Sequence, residues 1–241
     1  MSTLTFADVV DDSVLAFLES QARFGEWVES TTGPGYSFKV DLDRQQITFV
    51  PKLHKRDEVV CRMHLIGSVA ESPRSALWAW ANPVFAEHQV ATLSERVREF
   101  GQSRQIAELA EAQIDLPDAD LDVFATQMAS VAWRITGMPT GLVVPNGQTR
   151  VVTLLDPANF SVDAPSAVNA PSTLVGPIGT MTHDHRRALQ GFAQARQLPH
   201  QWAPGFSALS LRYPDGELNA TFDEQGRLAD LTGTAGGPQP G

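Results

Sequence analysis

Ser75-Ala76-Leu77-Trp78-Ala79-Trp80-Ala81-Asn82-Pro83 is the stretch on which the reading of the fold turns. Read as a strand, it has period two. Trp78 and Trp80 then share one face, and Leu77, Ala79 and Ala81 take the other. Asn82-Pro83 ends the run, since proline cannot donate to a ladder. The preceding segment supports this. Val59, Cys61, Met63, Leu65 and Val69 alternate with Val60, Arg62, His64 and Ile66, which predicts a longer strand with an apolar and a more polar face. Further back, Tyr36, Phe38, Val40 and Leu42 alternate, Asp43-Arg44-Gln45-Gln46 turns, and Ile47 and Phe49 resume, a hairpin. A helix over Asp12–Ser30 opens the chain, with Val14, Phe17, Leu18, Phe24 and Val28 near one stripe. Gly33-Pro34-Gly35 stops it.

Downstream, a polar helical stretch from Phe85 to Glu111 is expected to bend or split at Gly101. After Pro117, Leu121, Phe124, Ala125, Met128, Val131, Ala132 and Ile135 keep three–four spacing, and Gly137 ends that helix. Leu142–Val144 and Arg150–Leu155 flank the turn signal Pro145-Asn146-Gly147. The Pro-, Ala-, Ser- and Gly-rich run Asp156–Thr180 reads as an ordered excursion across the core. Thr182 reads as the N-cap of a helix ending near Arg196. A three-stranded meander over Leu209–Leu231 closes the fold, and residues 233–241 read as a disordered tail.

Strands arrive in hairpins and meanders rather than singly between helices. That order predicts an α+β fold: a curved antiparallel sheet with helices packed on one face. One domain over residues 1–232 is expected. A helix followed by three strands both opens and closes the chain, which leaves open a division into two related halves, about 1–115 and 116–232. At 241 residues, roughly 70 % of the unfolded surface can leave water, so no covalent staple is needed.

Composition excludes several classes. With 18 Lys+Arg against 28 Asp+Glu the net charge is −10, which repels nucleic acid and anionic membranes. The single cysteine, Cys61, has no partner for an internal disulfide. The first residues carry Asp8, Asp11 and Asp12 where a signal peptide needs basic charge, and no run of about 20 apolar residues exists. A cytoplasmic protein is the expectation. Phosphate-binding glycine loops, the G-x-S-x-G elbow and Cys-x-x-Cys pairs are all missing, so no cofactor is expected.

Two constellations remain. Thr182-His183-Asp184-His185-Arg186-Arg187 offers His183 and His185 as weak metal candidates, with His200 or His54 as a third ligand. If the segment opens a helix, side chains two apart diverge by about 200°, and Asp184 is then a charge at the helix start. The structural role is favoured and no metal is expected. The second is a candidate ligand-binding set: Trp78 and Trp80 as an aromatic wall, Asn82 at the strand end, and Arg62 and His64 as polar groups. For the indoles, core packing is the favoured role, and for His64 a plain strand position facing solvent or a neighbouring side chain. Cys61 falls on the face opposite His64, so the two form no dyad.

Trp78-Ala79-Trp80-Ala81-Asn82, followed by Arg98-Glu99-Phe100-Gly101 and Ile106-Ala107-Glu108-Leu109, resembles a bacterial family of unknown function with W-x-W-A-N, R-x-(aromatic)-G and I-x-x-L segments. The similarity spans Ser75–Ile135. It implies a shared core and brings no activity, cofactor or catalytic residue. The residues themselves point to a non-catalytic binding or accessory module with an acidic surface, suited to a basic protein partner. The alternative is a small-molecule pocket or enzyme with a cavity lined by Trp78, Trp80 and His64. Neither nucleic acid nor membrane is an expected partner, and the sequence leaves the oligomeric state open.

Overall fold

The computed structural model describes residues 3–52 and 56–236. In chain order the elements are α1 (Phe6–Asp11), α2 (Val14–Thr32), β1 (Ser37–Asp41), β2 (Gln46–Val50), β3 (Val59–Ala70), β4 (Ser75–Trp78), α3 (Thr92–Arg104), α4 (Ala107–Ala110), β5 (Gln113–Asp115), α5 (Leu121–Thr136), β6 (Thr140–Asn146), β7 (Thr149–Pro157), α6 (Ala170–Met181), α7 (His185–Ala195), β8 (His200–Trp202), β9 (Ala208–Tyr213), β10 (Gly216–Phe222) and β11 (Leu228–Ala235). The class is α+β, and every strand pairing among the described residues is antiparallel. The chain divides into two compact units. One holds the chain up to Phe6 with Ser20–Val162; the other holds Ala7–Glu19 with the chain from Asp163 onward. This division falls elsewhere than residue 115. It follows contacts between distant stretches, which periodicity does not report.

In the first unit β3 is the spine. β2 and β4 pair along successive parts of one edge, and β7 along the other. β1 and β5 extend the sheet beyond β2 and β4, and β6 beyond β7. One face of β3 presents Val59, Cys61, Met63 and Leu65, which cluster with Ile47, Phe49, Leu155 and the α2 side chains Phe24 and Val28. A bulge between Leu65 and Gly67 shifts the register against β7. Beyond it Gly67 faces α5, where an added Cβ would come 2.3 Å from Met128 Cε. The sheet of this unit is therefore covered by α2 on one face and by α5 on the other. α5 forms as its spacing predicts. Asp120 accepts from the N–H groups of Asp122 and Val123, and Gly137 ends the helix at φ 71°.

In the second unit β11-β10-β9-β8 form a meander. Leu209, Leu211, Tyr213, Leu218 and Ala220 share a buried face. Ser210, Arg212, Glu217 and Asn219 occupy the other, where Ser210 donates across the strands to Asn219. This half-buried sheet alternates as an antiparallel sheet with one wet face should. Ala188, Leu189, Phe192 and Ala193 form the buried stripe of α7.

Several expectations are corrected. The strand from Ser75 stops at Trp78, because Asn82 N–H donates to Ala79 O and closes a 3-10 turn over Ala79–Ala81. The stretch Phe85–Glu111 holds α3 and α4, split at Gln105 in the left-handed region (φ 59°) rather than at Gly101. Gly101 instead admits α4, since a Cβ there would come 2.5 Å from Leu109 Cβ. Asp156–Thr180 contains most of α6, whose Leu174 and Ile178 are buried four apart; Gly176, Pro177 and Gly179 mask that period in the sequence. β11 runs through Ala235, so residues 233–235 are strand, not tail; residues 237–241 lie outside the described residues.

Candidate functional site

The strand that was to carry both indoles of the candidate wall ends at Trp78. Trp78 is fully buried, and its indole N–H donates to Glu108 O at 2.9 Å. Trp80 has left the strand, its Nε1 has no partner among the described residues, and Arg98 stacks over its ring at 4.5 Å. Asn82 Oδ1 accepts from Val84 N–H at 2.9 Å, so it locks the turn. Arg62 donates through Nε and Nη2 to Gln45 Oε1 at 3.2 and 3.1 Å. His64 is buried with Nδ1 unpartnered among the described residues. Burial, and then the Arg62 charge, hold its imidazole below the ordinary pKa, while Asp156 pulls the other way. Of these five residues Trp78 and His64 are buried in the first unit, Trp80 and Asn82 are half-buried, and Arg62 is exposed.

The histidine-rich segment is a structural clasp of the second unit. Asp11 Oδ1 and Oδ2 accept from the backbone N–H groups of His183 and Asp184, both at 2.8 Å. Burial pushes the Asp11 carboxyl up from its ordinary value, and these two N–H groups oppose the shift. Asp184, not Thr182, is the N-cap of α7: its Oδ1 accepts from Arg186 N–H at 2.9 Å and Arg187 N–H at 3.1 Å. Thr182 Oγ1 instead donates back to Ile178 O at 2.6 Å. Arg187 binds Asp12 in bidentate fashion at 2.8 and 2.6 Å and reaches Asp8 at 2.7 Å. Those bonds hold the guanidinium pKa up. His185 Nδ1 accepts the Leu228 N–H at 2.9 Å, which spends a would-be ligand atom on the backbone. Among the described residues no three His, Cys, Asp or Glu side chains gather as a metal site, and His54 lies outside those residues.

Beside this clasp, within the second unit, lies a groove of about 470 Å³. Asp12, Asp184, Arg186, Arg187, Gln190, Trp202 and Phe206 are among its lining residues, and Arg187 pairs with Asp12. The turn Pro204-Gly205-Phe206 builds it. Gly205 (φ 70°) and Phe206 (φ 56°) both adopt left-handed backbone. A bulky aromatic there costs about 1–2 kcal/mol, and the result is a phenyl ring 59 % exposed. Phe206 meets Trp202 edge to face at 5.5 Å, and Trp202 packs on Phe222 at 5.6 Å. The Trp202 N–H donates to Gln190 Oε1 at 3.2 Å, which fixes the indole against α7. Arg186 sits 5.5 Å from the Phe222 ring and donates weakly to Asp223 O at 3.5 Å. The cap bonds of Asp184 both fall on Oδ1, and the exposed Asp184 lines the groove together with Trp202 and Phe206. The sequence reading missed Trp202 and Phe206. The signal was present as an aromatic placed directly after Pro-Gly, where a turn carries it outward.

The arrangement defines an α+β protein with a groove lined by two aromatic rings, two aspartates and two arginines. The chain belongs to the DUF6882 family, a family of unknown function, whose profile matches residues 7–158. No curated protein and no solved structure matches the chain. The match contains Trp78, Trp80 and Asn82 and stops short of Trp202 and Phe206. No helix among the described residues is long and apolar enough to cross a membrane.

Proposed function

We propose that the protein is a non-catalytic binding module, cytoplasmic and of bacterial type, that recognises a basic partner protein through the Trp202–Phe206 groove. The observation that carries this reading is Phe206, held exposed on strained backbone against Trp202 in a groove that the exposed Asp184 also lines. Exposed aromatic faces attract guanidinium and ammonium groups, and a neighbouring carboxylate completes the recognition of an Arg or Lys side chain. The net charge of −10 favours encounter with a basic surface. A cavity lined by Trp78, Trp80 and His64 receives no such support, because Trp78 and His64 are buried and Trp80 has left the strand.

The test is titration of the full chain with a labelled Arg-rich peptide, with a neutral peptide of equal length as control, at low and high salt. Selective, salt-sensitive binding that Phe206→Ala weakens about tenfold or more is expected. Equal binding of both peptides, or no effect of Phe206→Ala, overturns the reading.

A further inference from the structure

β1 is an edge strand: among the described residues it pairs with β2 alone. Its register sets Phe38 opposite Phe49 and Val40 opposite Ile47. Directly opposed residues share a face, so Phe38 and Val40 point to the side on which Phe49 and Ile47 are buried. Yet Phe38 is 43 % and Val40 48 % exposed, and Leu42, just past the strand, is 36 % exposed. Three apolar side chains therefore overhang the sheet edge. Lys39 and Asp41 project to the opposite face, and all five β1 residues are exposed.

Open edges template further pairing, and a lysine usually blunts them. Here the order of residues makes the edge complementary to itself. With two β1 strands antiparallel about a two-fold axis at Val40, Val40 meets Val40, Phe38 meets Leu42 twice, and Lys39 meets Asp41 twice. The apolar pairs fall on one face and both opposite-charge pairs on the other. Moving the axis to Lys39 sets lysine against lysine, and moving it to Asp41 sets aspartate against aspartate. Of the registers centred on Lys39, Val40 and Asp41, the one at Val40 satisfies both faces, and it requires the same parity of outward N–H and C=O groups on both strands, which a two-fold axis through a residue guarantees. Within its own chain Asp41 is held loosely by the turn: its Oδ1 accepts from Arg44 N–H at 2.9 Å, and Oδ2 lies 3.7 Å from Arg44 Nε, an exposed pair.

We propose that two copies of the chain associate through β1 in this register, joining their first-unit sheets edge to edge. The occupant of the edge is a second copy because Lys39 and Asp41 stand symmetrically about Val40. The contact is a short one, which places it among the weak, concentration-dependent dimers. It is independent of the groove and of its ligand.

Sedimentation velocity on the full chain, from micromolar to millimolar concentration, provides the test. A monomer–dimer equilibrium is expected. Lys39→Asp alone and Asp41→Lys alone each set like charges opposite one another twice and weaken it about tenfold. An equimolar mixture of the two variants regains the dimer, because the carboxylate introduced at position 39 of one copy then faces the ammonium introduced at position 41 of the other. Val40→Lys, at an exposed position, abolishes association while the circular dichroism stays unchanged. A chain monomeric at every concentration overturns the proposal. So does a dimer indifferent to these changes, or a mixture no stronger than its components.

Discussion

Trp78 and Trp202 both end short strands, and both indole N–H groups find an acceptor, Glu108 O in one case and Gln190 Oε1 in the other. Their fates differ. After Trp78 the backbone closes a 3-10 turn and the indole is sealed. After Trp202 it passes Pro204-Gly205, which throws Phe206 outward and leaves the indole on a groove wall. A tryptophan at a strand end thus carries no functional meaning by itself: a 3-10 turn follows each, and only Trp78 is also closed over by distant chain at Glu108.

The sharpest way to break this contrast is Trp78→Ala, which should cost about 3–5 kcal/mol in urea unfolding, as large deletions in closed cores do. Trp202→Ala should cost clearly less, and an equal loss would erase the distinction. The next effect concerns His64. The unfolded chain takes up a proton near pH 6.5, whereas native His64 takes it only at lower pH. Stability is intact above about pH 6.5 and falls as pH drops from there toward the native pKa, by at most about 1.4 kcal/mol per pH unit. His64→Leu should flatten that slope, read by denaturation at a series of pH values. Smaller still is Phe206→Gly. Release of the left-handed strain should leave stability unchanged or raise it by about 1 kcal/mol, while binding of the Arg-rich peptide is lost. Cys61 gives the finest comparison. Burial pushes its thiol up to about 12, so a thiol reagent at mildly alkaline pH should leave it unlabelled until the first unit is unfolded.

What the sequence disclosed was periodic. α5, the Val59–Ala70 strand and the closing meander stand out because their apolar residues repeat at three–four or two, and Gly137 and Asp215-Gly216 punctuate them. Regions set by long-range contacts stayed hidden. β8 has three residues and exists because β9 offers it an edge. α6 carries glycine and proline that local reasoning reads as breakers. The strand from Ser75 reads three residues too long in the sequence, to Ala81, because alternation in a strand and a turn beginning at Ala79 look alike over three residues. The groove escaped notice because its one local signal, an aromatic directly after Pro204-Gly205, does not by itself say that Phe206 adopts left-handed backbone or that Trp202 lies beside it.

The clasp of Asp8, Asp11 and Asp12 onto His183, Asp184 and Arg187 has a consequence for the order of events at the ribosome. Ala7–Glu19 is among the first parts of the second unit to be translated, and its partners come only after Asp163. At about 5–20 residues per second, Val9, Val10, Val14 and Phe17 wait roughly seven to thirty seconds without the rest of the unit in which they end up buried. These apolar side chains therefore stay without their final partners until the first unit has been synthesised.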